Sequence, residues 1–401
     1  MKVALFLTFI CLAAALPPKA RQVNNLNHPA RVPGEYLIVL HRTVAKGSNF
    51  VYSSKVASKI AALSSKITIL NSFTNLRSPI LHVKTSDDAV MSQLFAIDEI
   101  ESIDADMEQN MIEQCNSQAT TSVVWGLSRV SSRSMPSYSG TKFSYGSNDG
   151  AGVRVYVLDT GVRPTHTEFS GRFENGISFV GGDTGDKNGH GTHCAGTVMG
   201  SAYGVSKAAV VVPVKVLGDS GSGSFSGIIS GIDWMVGDIA SRGIRGVGSM
   251  SLGGGGNAAL DSAVNSADAA GVPVVVAAGN SNFDACYFSP ARATGAITVG
   301  STDIYDNLSS FSNYGSCVDI LAPGSSILSA SHLSDTGSRT LSGTSMACPH
   351  VAGLVANYLA DYPYASTSQV KAYLTASSTQ NVINTRGTSG TPNLLMYSSC
   401  A

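Results

Sequence analysis

Charge is scarce in this chain. Only 13% of its 401 residues are Asp, Glu, Lys or Arg, and the formal net charge is −1. That removes the electrostatic case for nucleic acid or an anionic membrane surface as a partner. The seven cysteines contain no CxxC pair or other zinc spacing, which argues against a structural zinc centre. His190 and His193 have no glutamate between them, so the helix of a zinc hydrolase is missing. No stretch approaches 18 consecutive apolar residues, so no membrane-spanning helix is expected.

What the chain does have is apolar bulk and glycine. Hydrophobic residues make up 43%, enough for a large core, and the 42 glycines imply many tight turns rather than a helical bundle. The length suggests two or three units. At the N-terminus, Met1-Lys2 is basic, Val3–Leu12 is apolar and Ala13-Ala14-Ala15 is small. That order reads as a secretory signal over residues 1–15 and places the product outside the cell. Disulfides are then permitted. Cys11 leaves with the signal, and sequence alone leaves the pairing of Cys115, Cys194, Cys286, Cys317, Cys348 and Cys400 open.

Residues 16–117 and 118–401 follow different patterns. In the first, Glu35–Leu40, Ile67–Phe73, Ile80–Thr85 and Ile100–Ile112 read as strands. Helices are expected over Asn49–Leu63 and from Ser86 or Asp87 to Ile97, giving the β-α-β-β-α-β order of a small ferredoxin-like α+β unit. In the second, Val153–Leu158, Val210–Val216, Gly246–Leu252 and Val272–Ala278 are short, β-branched and almost wholly apolar. Helical patterns lie between them at His190–Met199, Ser224–Ala240, Ala258–Ala270 and Ser345–Tyr362. This alternation predicts an α/β fold with a doubly wound, mostly parallel sheet. Ligands bind such sheets at the carboxyl ends of the strands, where Asp159, Ser251 and Asn280 fall.

Four residues there suit nucleophilic catalysis. A serine hydroxyl needs an imidazole to take its proton and a carboxylate to orient that imidazole. Asp159 ends an apolar strand in VYVLDTG, and His190 opens a small-residue helix in NGHGTHCAG. Ser345 stands at the start of a long helix in SGTSMACPHVAG, where free backbone N–H groups and the helix dipole favour an oxyanion. Asn280, in AAGN, can donate its amide to that oxyanion. Each alone has an ordinary structural explanation: a turn aspartate, an N-cap serine, a turn asparagine. His166, His193 and His350 read as packing residues.

Together these stretches resemble the subtilisin-type serine peptidases, most closely the proteinase K-like branch. SLGGG (Ser251–Gly255), VAAGN and SSFSNYGS (Ser309–Ser316) extend the resemblance over nearly all of residues 118–401. Residues Glu35–Ile112 resemble the inhibitor-type propeptide of the same family. The resemblance implies Asp159 as orienting acid, His190 as general base and acid, Ser345 as nucleophile and Asn280 as oxyanion donor. It implies no catalytic cofactor, a monomer, protein and peptide substrates, and the propeptide as the chain's own inhibitor. Gly221-Ser222-Gly223 and Ser251-Leu252-Gly253 match the edges that pair with an extended substrate. Ala277, Ala278 and Gly279 would floor an apolar pocket, so cleavage is expected after aromatic or aliphatic residues.

The resemblance also implies a Cys286–Cys317 disulfide, a free buried thiol at Cys194 and one structural calcium site. Asp319 would hold the ion with carbonyls near Thr294 and Ala296, since carboxylate and carbonyl oxygens suit calcium. Cys348 reads as a small buried hydrophobe. Asn307-Leu308-Ser309 is the sole glycosylation sequon. Two other readings stay open at this stage. A processing protease cutting after basic pairs would need acidic pocket residues. An inactive homologue serving as a binding module would need the loss of a catalytic group.

Overall fold

The computed structural model describes residues 23, 31–41, 49–63, 65–73, 78–87, 90, 93–107, 115–120, 124–137, 142–146 and 149–398. The expected signal, residues 1–15, lies outside them. The chain divides into two compact units, Met1–Gln109 and Asn110–Ala401.

In the first unit a four-stranded antiparallel sheet has the spatial order Thr68–Phe73, Ile80–Lys84, Arg31–Leu40, Ile100–Met107. Alternation builds it: Tyr36, Ile38 and Leu40 point into the core while Leu37 and Val39 stay half-buried. The buried set packs on Val56 and Ile60 of the helix Asn49–Leu63, and on Val90 and Leu94. Only Val90 and Gln93–Leu94 of the second predicted helix are described as helical. The expected strand to Ile112 is described as far as Met107.

The second unit is built around a nine-stranded sheet. Across it the strands run Thr379–Gln380, Leu394–Leu395, Ile320–Pro323, Ala296–Thr302, Val274–Ala277, Arg245–Met250, Val153–Asp159, Val210–Lys215, Ile177–Ser178. Every neighbouring pair is parallel except the first, which is antiparallel. Burial on both faces explains the continuous apolar runs. On the strand Val153–Asp159, Val153, Val155 and Val157 pack with Val198, Val351 and Val355 on one side. Tyr156 and Leu158 pack with Ile232, Met235 and Leu260 on the other. The helices His190–Met199 and Thr344–Asp361 therefore cover one face, and Phe225–Arg242 and Ala258–Ala269 the other. Asn116–Ala119 forms an antiparallel pair with Lys142–Tyr145 in this unit, so the expected boundary at 117/118 falls inside a paired strand.

Candidate active site

Because the strands run parallel, their carboxyl ends open on one edge of the sheet. Asp159 is the last residue of its strand, Ser251 follows Met250, and Asn280 lies three residues beyond Ala277. The helices beginning at His190 and Thr344 bring the remaining two groups to the same cleft, which His190, Ser251, Asn280 and Ser345 all line.

Asp159 is fully buried. Its Oδ1 accepts from the Thr160 amide at 2.7 Å, and both oxygens face His190 Nδ1, at 2.8 and 2.9 Å. A carboxylate so placed fixes the imidazole tautomer with its proton on Nδ1 and leaves Nε2 for chemistry. Burial, the largest single influence, disfavours charge on His190, but its contacts with Asp159 and Cys194 together raise the pKa well above 6.5. Glycine at 191 permits this contact, since a Cβ there would collide with the Gly161 carbonyl beside Asp159. Burial pushes the Cys194 thiol pKa up, so the sulfur 3.9 Å from His190 Nδ1 stays a neutral thiol.

Asp186 holds the turn before His190, and the sequence reading missed it. Its Oδ1 accepts from the Asn188 and Gly189 amides at 3.0 and 2.8 Å and from Thr160 Oγ1 at 2.9 Å. Its Oδ2 accepts from the Thr192 amide and hydroxyl at 2.9 and 2.6 Å. Thr160 Oγ1 in turn accepts from the Gly191 amide at 3.0 Å. The signal available was an aspartate four residues ahead of a helix start, a position suited to collecting free N–H groups.

Ser345 is the second residue of its helix, whose N-cap is Gly343. Its hydroxyl donates to the Ser251 carbonyl at 3.2 Å. Asn280 is fixed by its oxygen, which accepts from the Thr344 amide at 2.8 Å and the Thr344 hydroxyl at 3.0 Å. The Asn280 Nδ2 is therefore oriented by the turn that presents Ser345. This is the arrangement an oxyanion donor requires.

The cleft has a volume of about 620 Å³. Gly221, Ser222 and Gly223 form one exposed edge, and Ser251, Leu252 and Gly253 lie on the other. Ala277, Ala278 and Gly279 line it too, with Leu217, Phe225, Ile228 and Phe288. Among the described residues no aspartate or glutamate lines it. The three histidines expected to be packing residues hold backbone: His193 Nε2 contacts the Ile327 carbonyl, His350 Nδ1 the Met346 carbonyl and His166 Nε2 the Gly337 carbonyl. Burial pushes the first two down to about 4.

Cys286 and Cys317 are joined, with Cα atoms 5.3 Å apart, and Cys194 and Cys348 are buried free thiols. Cys115 is also disulfide-bonded. Asn307 is half-buried, and its side-chain amide donates to Asp303 at 3.2 Å. The expected calcium donors behave differently. Thr294 and Asp319 do converge, but on the ammonium of Lys371, at 3.2–3.3 Å. Ala296 only opens the adjacent strand. With the Lys371 ammonium in place these oxygens already face a cation of the chain's own, which leaves no room for calcium.

Comparison with known proteins agrees with this geometry. Residues 150–394 match the model of the subtilase family. An extracellular serine proteinase of Thermus is 50% identical over 275 residues, covering 68% of this chain and 65% of that protein. A cuticle-degrading serine protease of Arthrobotrys oligospora is 37% identical, over 95% of this chain and 94% of its own length. The subtilisin-like serine protease Pen ch 18 of Penicillium rubens is 36% identical over 99% and 88%. Of the first three relatives, however, the chain spans only 65%, 51% and 53%. The crystal structure of a cold-adapted subtilisin-like serine proteinase superposes with a TM-score of 0.63 and 49% identity, covering 68% of this chain and 97% of that one. With its buried Asp159, its His190 and its helix-borne Ser345 on such a sheet, the chain belongs to the subtilase family.

Proposed function

We propose that this chain is a secreted serine endopeptidase, made as a zymogen, that cleaves proteins after aromatic or aliphatic residues. The observation that carries the proposal is the two-oxygen contact of Asp159 with His190 Nδ1 in one cleft with Ser345 and Asn280. Ser345 Oγ attacks the scissile carbonyl carbon while its proton passes to His190 Nε2. Asp159 stabilises the imidazolium so formed. Negative charge moves to the carbonyl oxygen, which the Ser345 amide and Asn280 Nδ2 receive. The imidazolium then protonates the departing amine, and water repeats the sequence to release the acyl group.

The wall residues favour the substrate class. Exposed main chain at Gly221–Gly223 offers hydrogen bonds to any extended peptide, and the apolar lining without carboxylates suits apolar side chains. That lining also counts against cleavage after basic pairs. One relative is named an extracellular serine proteinase, and no helix among the described residues is long and apolar enough to cross a membrane. The relative's name supports secretion. Residues 16–117 would act as folding aid and inhibitor, with self-cleavage near Asn116–Gln118.

Expression of wild type and Ser345→Ala tests the whole reading. Wild type should digest a broad protein substrate and show a new N-terminus near residue 117 or 118. Ser345→Ala should do neither and should accumulate the uncut precursor. Normal processing of Ser345→Ala without added protease would refute self-cleavage, and retained proteolysis would refute the serine mechanism.

A further inference from the structure

We infer that Lys371 is a tethered substitute for a calcium ion in this chain. Its Nζ lies 3.2 and 3.3 Å from the two Asp319 carboxylate oxygens and 3.3 Å from the Thr294 carbonyl. An ammonium has three N–H donors and no acceptor, and here three oxygens converge on it. Calcium asks for about 6–8 oxygens at roughly 2.3–2.6 Å. An ion that close to the same oxygens would sit almost on top of Nζ, cation against cation. The two are alternatives, and the chain carries its own.

The surroundings hold the lysine in that position. Its helix, Thr367–Ser377, opens with a capping box between Ser366 and Gln369. Val370 and Leu374 anchor that helix in the core, which turns the neighbouring Lys371 toward the sheet. Asp319 is held independently: its Oδ2 accepts from the Thr298 amide at 2.8 Å, and its own amide donates to the Thr298 carbonyl at 2.9 Å. The ammonium thus ties three segments together: the approach to Ala296–Thr302, the entry to Ile320–Pro323 and the helix Thr367–Ser377. A bound ion stabilises a fold only while its free concentration is kept up. A covalently attached cation gives the same tie at any calcium concentration. Lys371 and Asp319 are 29% and 35% exposed, so water and salt screen the pair and the gain is modest.

This inference concerns stability, so it stands or falls separately from the proposed peptidase reaction. The test uses the enzyme blocked with a serine-directed sulfonyl fluoride, or the Ser345→Ala chain, so that self-digestion cannot intervene. Melting is followed in chelator and in millimolar calcium, with calcium binding measured directly by equilibrium dialysis. Wild type should melt at one temperature in both and bind no calcium that depends on Asp319. Lys371→Met, which keeps an apolar stem, should melt a few degrees lower in chelator, and calcium should restore the loss. Asp319→Asn in the Lys371→Met chain should remove that rescue. Calcium bound by wild type and lost in Asp319→Asn would overturn the inference. So would a Lys371→Met protein that melts like wild type, or one whose loss calcium leaves unrepaired.

Discussion

Ser251 and Ser345 exchange hydrogen bonds. The Ser251 hydroxyl donates to the Ser345 carbonyl at 2.8 Å, and the Ser345 hydroxyl donates to the Ser251 carbonyl at 3.2 Å. The nucleophile is therefore parked on a main-chain acceptor and must rotate toward His190 Nε2 to react. Apo sites often show such loose catalytic contacts, which tighten when substrate arrives.

The catalytic groups should accordingly separate by size of effect. Ser345→Ala and His190→Ala should each lose nearly all turnover, since both belong to one proton-transfer unit. Asn280→Ala should lose about 10²–10³-fold in kcat, the range known for the corresponding donor in subtilisin itself and carried over from there. Ser251→Ala removes only a neutral hydrogen bond that steadies the helix start, and should cost about tenfold or less. Steady-state kinetics on one peptide substrate ranks all four; a Ser251→Ala loss as deep as that of Ser345→Ala would contradict the assignment.

The pH dependence follows from His190. Its contacts with Asp159 and Cys194 raise its pKa well above 6.5 against the opposing effect of burial. Only neutral His190 can accept the serine proton, so kcat/KM should fall as pH drops below that raised value. The acid limb of the kcat/KM profile should therefore lie above 6.5, giving an alkaline enzyme. Stability moves the other way. The group gains a proton more readily folded than unfolded, so its contribution is fully present below the unfolded value and is lost as pH rises through the folded one. An acid limb at or below 6.5 would show that burial wins over the carboxylate.

Much of this was legible in the sequence because the signals are local. A strand buried on both faces must be a continuous apolar run, so the segments around Val155, Val212, Val247 and Val275 announce themselves. Asp159, His190, Asn280 and Ser345 each sit beside glycines or at an element end, where function shapes the neighbours. Pairings across the fold leave no such trace. Nothing near Lys371 or Asp319 tells that they meet, 52 residues apart. For that reason the expected calcium donors gave no hint of the lysine that faces them. Asp186 was hidden differently: it reads as one more polar residue in a turn until its five donors are seen together.

Asp186 supplies a positioning prediction. Asp186→Ala would leave the Asn188, Gly189 and Thr192 amides and the Thr160 and Thr192 hydroxyls without their acceptor. The turn that aims His190 at Ser345 would relax, and small misplacements of reacting groups can cost about 10²-fold. The loss should appear chiefly in kcat, with a smaller rise in KM, because the same turn carries Asn188, which lines the cleft and donates to the Asp219 carbonyl beside Gly221, whereas none of these bonds reaches the Ser251–Gly253 edge. A raised KM with unchanged kcat would place Asp186 in substrate binding instead.

A buried ion pair far from the cleft makes the strongest stability prediction. Arg129, on the short helix Trp125–Val130, is wholly buried. Its Nε and Nη2 donate to the two Asp306 oxygens at 2.6 and 3.0 Å, and Nη1 donates to the Ser132 carbonyl at 2.6 Å. The Asp306 backbone has a φ of 59°, in the left-handed region, so the carboxylate is presented by a turn that most side chains resist. Asp306→Ala would strand a guanidinium in the interior at a cost of about 3–5 kcal/mol. In the serine-blocked enzyme this should lower the melting temperature by on the order of 10 °C. Removing both charges with Arg129→Met and Asp306→Ala should recover part of the loss, because an uncharged gap costs less than an unpaired buried ion. Asp306→Asn keeps the turn's tolerance for positive φ and one acceptor oxygen, and should fall between the two. If Asp306→Ala melts within a degree or so of wild type, the pair contributes nothing, and the helix Trp125–Val130 is held without it, by Trp125 and Leu127 in the core.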